Sequence, residues 1–204
     1  MLFIHGGGFT IGSAESHHGL AASLAQLLER EVVSVNYRLA PEVDYPAMLA
    51  DCQAVLEAVH PVALVGDSAG GRLAIDLAHQ LNEAPPLGLI YPPVGELAIN
   101  CLGEDAPLLS RSDVLSIREQ CPKIIATQRD RSPPASTIEV LTVEHDPLTH
   151  PVETAVALWQ QAGASIGYHC APQMVHGALH AQAQLPEMSA AWQGFCHTLK
   201  RRLN

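Results

Sequence analysis

The chain has 204 residues, a length that suits one domain with a sizeable buried core. It carries 11 Lys and Arg against 21 Asp and Glu, and the formal charge of −10 argues against nucleic acid or an anionic membrane surface as a partner. An apolar share of 48 % excludes a disordered chain, and no run approaches the roughly 18 apolar residues of a membrane helix. The stretch formed by the first six residues is too short and too uncharged for a signal peptide, so we expect a cytoplasmic protein.

Short apolar runs alternate with longer helical patterns along the chain. The predicted strands cover residues 2–4, 32–37, 62–65, 87–91, 138–143 and 166–170. The predicted helices cover residues 18–30, 47–60, 69–81, 152–162 and 187–201. Nearly continuous apolar strands are typical of a parallel sheet that is covered on both faces. The alternation predicts an α/β fold with one mostly parallel sheet of about six strands and helices on both sides.

Residues 92–134 interrupt this alternation. The segment contains the pair Pro92-Pro93, scattered acidic residues and one helix candidate near 113–128. Long insertions at the carboxyl edge of such a sheet usually form lids or specificity loops. We therefore expect a single domain over residues 1–204, in which residues 93–134 form a small cap.

The strongest chemical signal is the pentapeptide Gly66-Asp67-Ser68-Ala69-Gly70, which lies between a predicted strand and a predicted helix. A serine on a sharp strand-to-helix turn is exposed to solvent, and glycines on both sides leave room where the two elements cross. The start of the helix directs free N–H groups toward a developing oxyanion. We predict that Ser68 is a nucleophile and that the N–H group of Ala69 is an oxyanion donor. The alternative is an ordinary serine in a glycine-rich turn, which the flanking strand and helix disfavour.

A second glycine-rich loop, HGGG at residues 5–8, follows the first predicted strand. Its glycines allow the backbone to approach an anion closely. Such a loop completes the oxyanion hole in hydrolases with a serine elbow, so we predict donors at the N–H groups of Gly7 and Gly8. A flexible turn is the alternative. A phosphate-binding loop is disfavoured because neither G-x-G-x-x-G nor a following Gly-Lys-Ser is present.

Four motifs together resemble a known family. HGGG at 5–8, YRLAPE at 37–42, GDSAGG at 66–71 and EHDPL at 144–148 are similar, in order and spacing, to the bacterial hormone-sensitive-lipase-like esterases. These are α/β-hydrolases that cleave carboxylic esters, usually with short acyl chains. The resemblance covers nearly the whole chain. It implies an α/β-hydrolase fold, Ser68 as the nucleophile, Asp146 as the acid and a histidine of the last loop as the base.

The base must be chosen among 11 histidines. The triad order in this fold is serine, acid, histidine, so the base follows Asp146. We predict His176, which lies in the loop after the last predicted strand and precedes a glycine, as in the family. His169 would lie inside that strand, His150 follows Asp146 too closely, and His180 begins a helical segment. The spacing of His176 and His180 also suits a metal pair on a helix, but no neighbouring Cys, Asp or Glu completes it.

Other polar residues of these motifs have structural interpretations. Asp67 is expected to order the backbone of the elbow and not to transfer protons. The resemblance assigns Tyr37, Arg38 and Glu42 to the scaffold of the oxyanion loop. The leading hypothesis is thus a serine carboxylesterase for short-chain esters that needs no cofactor or metal. An amidase or deacetylase on the same triad is the main alternative, followed by a non-catalytic binding protein.

The resemblance also predicts an exposed sheet edge. The family carries a segment before its HGGG loop, whereas only four residues precede His5 in this sequence, so we expect an N-terminally shortened form. The strand predicted at 32–37 would normally pair with a strand of that segment. Without such a strand its backbone donors and acceptors are open to a partner. We therefore predict that a second subunit, which would make a homodimer, or a rearranged terminus covers this edge.

Overall fold

The structure is a computed structural model that describes residues 1–121 and 128–203. Its strands are β1 (Leu2–Ile4), β2 (Val33–Val35), β3 (Leu64–Asp67), β4 (Leu87–Ile90), β5 (Thr137–His145) and β6 (Ser165–Val175). Its α-helices are α1 (His18–Leu28), α2 (Tyr45–Val59), α3 (Ala69–Ala78), α4 (Arg111–Gln120), α5 (Thr149–Gln161) and α6 (Pro186–Arg202). Short 3₁₀ turns cover Gln128–Arg131 and Ala178–Ala181.

The six strands form one sheet in the order β2-β1-β3-β4-β5-β6, and every neighbouring pair is parallel. Alternate side chains of β1 point to opposite faces, as the pleat of a strand requires. Leu2 and Ile4 pack in a core cluster with α2, α3 and α5, whereas Phe3 packs in a second cluster with α1 and α6. The predicted parallel sheet with helices on both sides is therefore confirmed.

Several predicted strands begin or end at the wrong residue. The strand predicted at 62–65 begins at Leu64 and runs to Asp67, because Val62 is 52 % exposed and the ladder with β4 starts at Leu64. β6 continues five residues beyond the predicted 166–170, because its pairing with β5 persists through an irregularity between Val143 and His145. Boundaries depend on these long-range pairings, which local pattern does not contain.

The predicted helix at 113–128 is only partly described. α4 begins earlier than predicted because Ser110 caps it, its side chain accepting from the N–H group of Asp113 while the Asp113 carboxylate accepts from the Ser110 N–H group. The helix ends at Gln120, and residues 122–127 of the prediction lie outside the described residues. α4 belongs to a small apolar cluster of its own, which comprises Leu97, Leu102, Leu109, Val114 and Leu148.

β2 lies at one edge of the sheet, as predicted, and pairs only with β1 among the described strands. Its cover by a second subunit or by a rearranged terminus stays a prediction. Across residues 1–121 and 128–203, every helix is too short or too polar to cross a membrane.

Candidate active site

Ser68 lies in a sharp turn between β3 and α3. Its backbone has φ 48° and ψ −119°, a conformation that residues other than glycine rarely adopt. The crossing of strand and helix is so close that a Cβ atom on Gly70 would collide with the carbonyl of Ile4, and one on Gly66 with the carbonyl of Gly70. The N–H group of Ser68 donates to the carbonyl of Ile90 at 2.8 Å, which fastens the strained turn to β4. The hydroxyl is thereby held at the carboxyl edge of the sheet.

Three predicted side chains meet at this edge. His176 Nε2 lies 2.9 Å from Ser68 Oγ, and His176 Nδ1 lies 2.7 Å from Asp146 Oδ2. Asp146 is 5 % exposed, and its other oxygen accepts from the N–H group of Leu148 at 2.8 Å. A carboxylate accepts only, so it selects the imidazole tautomer with the proton on Nδ1. The lone pair of Nε2 is then free to accept the proton of Ser68.

The histidine within β6 is engaged elsewhere. His169 Nε2 lies 2.6 Å from Glu139 Oε1, and Arg202 Nε donates to Glu139 Oε2 at 2.8 Å. Glu139 is fully buried, so these contacts compensate its charge and fasten the end of α6 to the sheet. His169 therefore lies inside the strand, as predicted, in an ion-pair cluster of its own.

The residues that are predicted to supply the oxyanion donors line the same cavity as the serine. Gly7, Gly8 and Ala69 line it together with Ser68. Gly7 has φ 110°, and a Cβ atom there would collide with the carbonyl of Ile11, so the loop requires glycine at this position. The turn is closed by the N–H group of Ile11, which donates to the carbonyl of Gly7 at 3.0 Å.

Two side chains hold this loop from behind. Asp67 Oδ1 accepts from the N–H group of Gly6 at 3.0 Å, so this carboxylate orders backbone, as expected from its place on the elbow. Tyr37 donates its hydroxyl to the carbonyl of His5 at 2.8 Å, and the two rings stack with centroids 4.3 Å apart. Burial raises the pKa of Tyr37 well above its usual value, so it remains a neutral donor. Arg38 instead forms a surface ion pair with Asp51 at 2.8 Å.

The cavity beside Ser68 has a volume of about 480 Å³. Most of its wall is apolar and comes from the oxyanion loop, the insertion and the loop after β5. These side chains are Phe9, Ile11, Leu97, Leu108, Leu109, Val114, Ile117 and Leu148. Ile11 and Leu108 are 69 % and 82 % exposed. A small apolar group attached to a reacting carbonyl fits such a space.

Tyr91 is a cavity residue that the sequence patterns do not indicate. The predicted strand at 87–91 includes it, but β4 ends at Ile90, and Tyr91 lines the cavity with a backbone φ of 35°. Its ring centroid lies 4.5 Å from that of His176, and its side chain is almost fully buried. Burial raises the pKa of Tyr91 well above its usual value, and the carboxylates of Asp67 and Asp146 add to the effect. Tyr91 is thus a neutral wall against the imidazole. The only local signal was the proline pair that follows it.

A second group of polar side chains was also missed. His17, Asp67 and His180 line the cavity, and one potential ligand atom of each lies within 4.8 Å of the others. Burial lowers the pKa of His17, but the neighbouring Asp67 carboxylate outweighs it, so the net shift is upward. Burial, and then His17, lower the pKa of His180. These three residues are the described side chains best placed to hold a metal ion.

Comparisons with known proteins agree on one family. The profile of a protein family described by its alpha/beta hydrolase fold matches residues 1–180. Over 238 aligned residues, the chain is 32 % identical to the carboxylesterase NlhH of Mycobacterium tuberculosis, and the alignment covers 100 % of this chain and 74 % of the relative. The fold is similar to that of EstE1, a thermophilic carboxylesterase from a metagenomic library, with a TM-score of 0.84, 27 % identity and coverage of 100 % and 79 % of the two chains. It is also similar to a bacterial heroin esterase, with a TM-score of 0.85, 28 % identity and coverage of 100 % and 74 %.

Proposed function

Because this chain belongs to the α/β-hydrolase family, as a hormone-sensitive-lipase-like carboxylic ester hydrolase, we propose that it is a serine carboxylesterase that cleaves short-chain esters through an acyl-enzyme intermediate. The observation that carries the proposal is the continuous hydrogen-bonded path from Ser68 through His176 to Asp146, beside a glycine loop and an apolar cavity. Each part has a defined task in acyl transfer.

In the first half-reaction, Ser68 Oγ attacks the carbonyl carbon of the ester while His176 Nε2 accepts its proton. Asp146 stabilises the imidazolium that forms. The tetrahedral intermediate collapses when His176 returns this proton to the departing alkoxide, which leaves the acyl group on Ser68. Water then repeats the sequence from the same side, with His176 again as the base, and the carboxylic acid is released.

The backbone supplies the charge stabilisation. In the tetrahedral intermediate, the former carbonyl oxygen accepts hydrogen bonds from the N–H groups of Gly7, Gly8 and Ala69. One such donor typically contributes about 3 kcal/mol to the transition state. Because Asp67 holds the loop through Gly6, these donors are oriented before the substrate binds. In this mechanism, the triad and these donors supply the nucleophile, the base and the charge stabilisation from the protein itself.

The apolar wall supports the preference for short acyl chains. We propose that the insertion at 93–134 forms a small cap, because three of its described residues, Leu97, Leu109 and Val114, line the cavity and pack with Leu148 in one apolar cluster. Ile11 and Leu108 in this wall are largely exposed, so the cavity is open to water and the far end of a long acyl chain would stay hydrated there. The binding energy per methylene, about 0.8 kcal/mol when buried, is then lost beyond the first few carbons.

The test is hydrolysis of p-nitrophenyl esters by the wild type and by Ser68→Ala. We expect kcat/KM to be highest for acetate and butyrate and to fall for laurate. Ser68→Ala should lose on the order of 10⁶-fold in kcat. Ser132→Ala, at an exposed serine, is the matched control. An organophosphonate should label the wild type covalently at Ser68.

Other outcomes identify the alternatives. Faster cleavage of p-nitroacetanilide than of the acetate would make the protein an amidase on the same triad. The absence of both turnover and labelling would favour a binding protein. A rate maximum at laurate would contradict the short-chain preference.

A further inference from the structure

Three side chains outside the triad converge on one point of the active-site cavity. His17 lies at the start of α1, Asp67 ends β3, and His180 belongs to the 3₁₀ turn after β6. One potential ligand atom of each lies within 4.8 Å of the others. All three line the cavity that also contains Ser68 and His176. We call these three residues the His-Asp-His cluster.

The hydrogen bonds of His17 determine which nitrogen faces the cluster. The hydroxyl of Ser16 donates to the carbonyl of Ser13 at 3.0 Å, so toward His17 Nδ1, at 2.9 Å, it acts as the acceptor. Nδ1 therefore carries a proton, and Nε2 faces Asp67 Oδ2 at 3.5 Å. A neutral His17 would direct a lone pair at a carboxylate oxygen. Either a proton on Nε2 or a metal cation between these two atoms removes that repulsion.

One carboxylate oxygen of Asp67 also faces the cluster. Its Oδ1 is occupied by the N–H group of Gly6, which leaves Oδ2 turned toward His17. Ligand atoms of a tetrahedral zinc ion at about 2.0–2.2 Å lie about 3.5 Å from each other. The pair of His17 and Asp67 already has that separation. His180 must approach by about 1 Å, and as an exposed side chain it has room to rotate.

The nearby histidine of the triad is not available as a ligand. Both ring nitrogens of His176 are engaged, one by Asp146 and one by Ser68. His176 and His180 therefore do not form the metal pair that their spacing suits. Instead, His180 lies near His17 and Asp67. The ring centroids of His17 and His180 lie 4.6 Å apart, although the two residues are far apart in the chain.

We propose that the His-Asp-His cluster binds Zn²⁺, or a transition-metal ion of similar ligand preference, and that this binding inhibits the esterase. Two imidazoles and one carboxylate are a donor set that zinc accepts, with water in the fourth position. The ion and its water occupy part of the cavity, and their positive charge opposes the imidazolium that forms at His176. The inhibition rests on the proposed esterase function; the binding does not.

Binding is measured first, without reference to activity. Chelator-treated protein is titrated with Zn²⁺ by calorimetry and with Co²⁺ by visible absorption, in a buffer that does not bind metals. We expect one site per chain, and at least about a tenfold loss of affinity in His180→Ala, because one of three protein ligands is removed. His18→Ala is the matched control, since His18 is exposed, adjacent to His17 and outside the cluster. Equal affinity in His180→Ala, or no binding to the wild type, would overturn the site.

Inhibition is measured second, as the ratio of p-nitrophenyl acetate turnover with and without Zn²⁺ for each variant. We expect the wild type and His18→Ala to lose most of their rate at saturating Zn²⁺ and to recover it with EDTA. His180→Ala should need at least about ten times more Zn²⁺ for the same loss. Binding without any loss of rate would overturn the inhibition and leave the site. A protein without esterase activity would contradict the proposed function, and the Co²⁺ spectrum would still decide the site.

Discussion

Two buried polar networks share the helix α3, and their comparison separates catalysis from stability. The first begins at Ser68, directly before α3, and continues through His176 to Asp146. The second contains Arg72 and Asp76 on the same helix, and Asp130, whose Oδ2 lies 2.6 Å from Arg72. Each network pairs a carboxylate with a nitrogen-containing side chain. In each, a carboxylate also accepts a hydrogen bond from a backbone N–H group.

The difference lies in access and in charge. Arg72 is 0 % exposed, and its guanidinium is paired with Asp76 and Asp130, while Tyr45 donates its hydroxyl to Asp76 at 2.6 Å. Burial lowers the pKa of Arg72, but the two carboxylates outweigh it and the net shift is upward, so this group never exchanges a proton. His176 instead keeps one lone pair directed at a hydroxyl in an open cavity. A sealed network whose charges are paired stabilises the fold, whereas a network that opens on a cavity and offers a hydrogen-bond acceptor to a hydroxyl can react.

After the loss of the nucleophile itself in Ser68→Ala, the largest expected effect is that of Asp146→Asn. The amide can donate to His176 Nδ1, which favours the tautomer with its proton on Nε2, and that nitrogen can no longer accept from Ser68. We expect kcat/KM for p-nitrophenyl acetate to fall about 10⁴-fold, with little change in the urea midpoint. Asp105→Asn, in an exposed ion pair with Arg111, is the control. Activity within tenfold of the wild type would refute the role assigned to Asp146.

The next effect concerns the sealed network. Arg72→Met leaves Asp76 and Asp130 buried and uncompensated, so the free energy of unfolding should fall by about 3–5 kcal/mol in urea denaturation. Turnover per folded molecule should change far less than in Asp146→Asn. Arg38→Met, which removes an exposed pair with Asp51, should alter stability little. If both arginine variants lost the same stability, burial would not be the distinguishing property.

The smallest effect is a pH dependence at the far end of α3. Burial, followed by the charge of Arg72, lowers the pKa of half-buried His79 below its usual value of 6.5. As the pH falls below 6.5, His79 binds a proton in the unfolded state, whereas in the folded state it binds one only at a lower pH. This residue therefore lowers the free energy of unfolding under acid conditions. Between about pH 7.5 and about pH 5.5, the Tm of the wild type should therefore fall more than that of His79→Gln. His18→Gln, at an exposed position, should follow the wild type; identical slopes for all three would contradict the assignment.

Much of the site was accessible from local patterns. The turn at Ser68 needs glycines at both sides for steric reasons that act within a few residues, so the pentapeptide alone indicates it. The glycine loop at 5–8 was predicted in the same way. Asp146 and His176 followed from chain order and family resemblance, because parallel strands end at a common edge of the sheet. Strand ends were less accessible, because β6 is extended by its ladder with β5.

Other features of this molecule arise only when distant segments pack together. His17 and His180 carry no local signal, yet the contact of α1 with the 3₁₀ turn after β6 brings both to Asp67. Tyr91 reaches His176 because its backbone turns out of β4. Backbone sterics and apolar periodicity act over a few residues and are therefore visible in the chain itself. The surroundings of a side chain are a product of sheet order and helix packing, and they exist only in the folded protein.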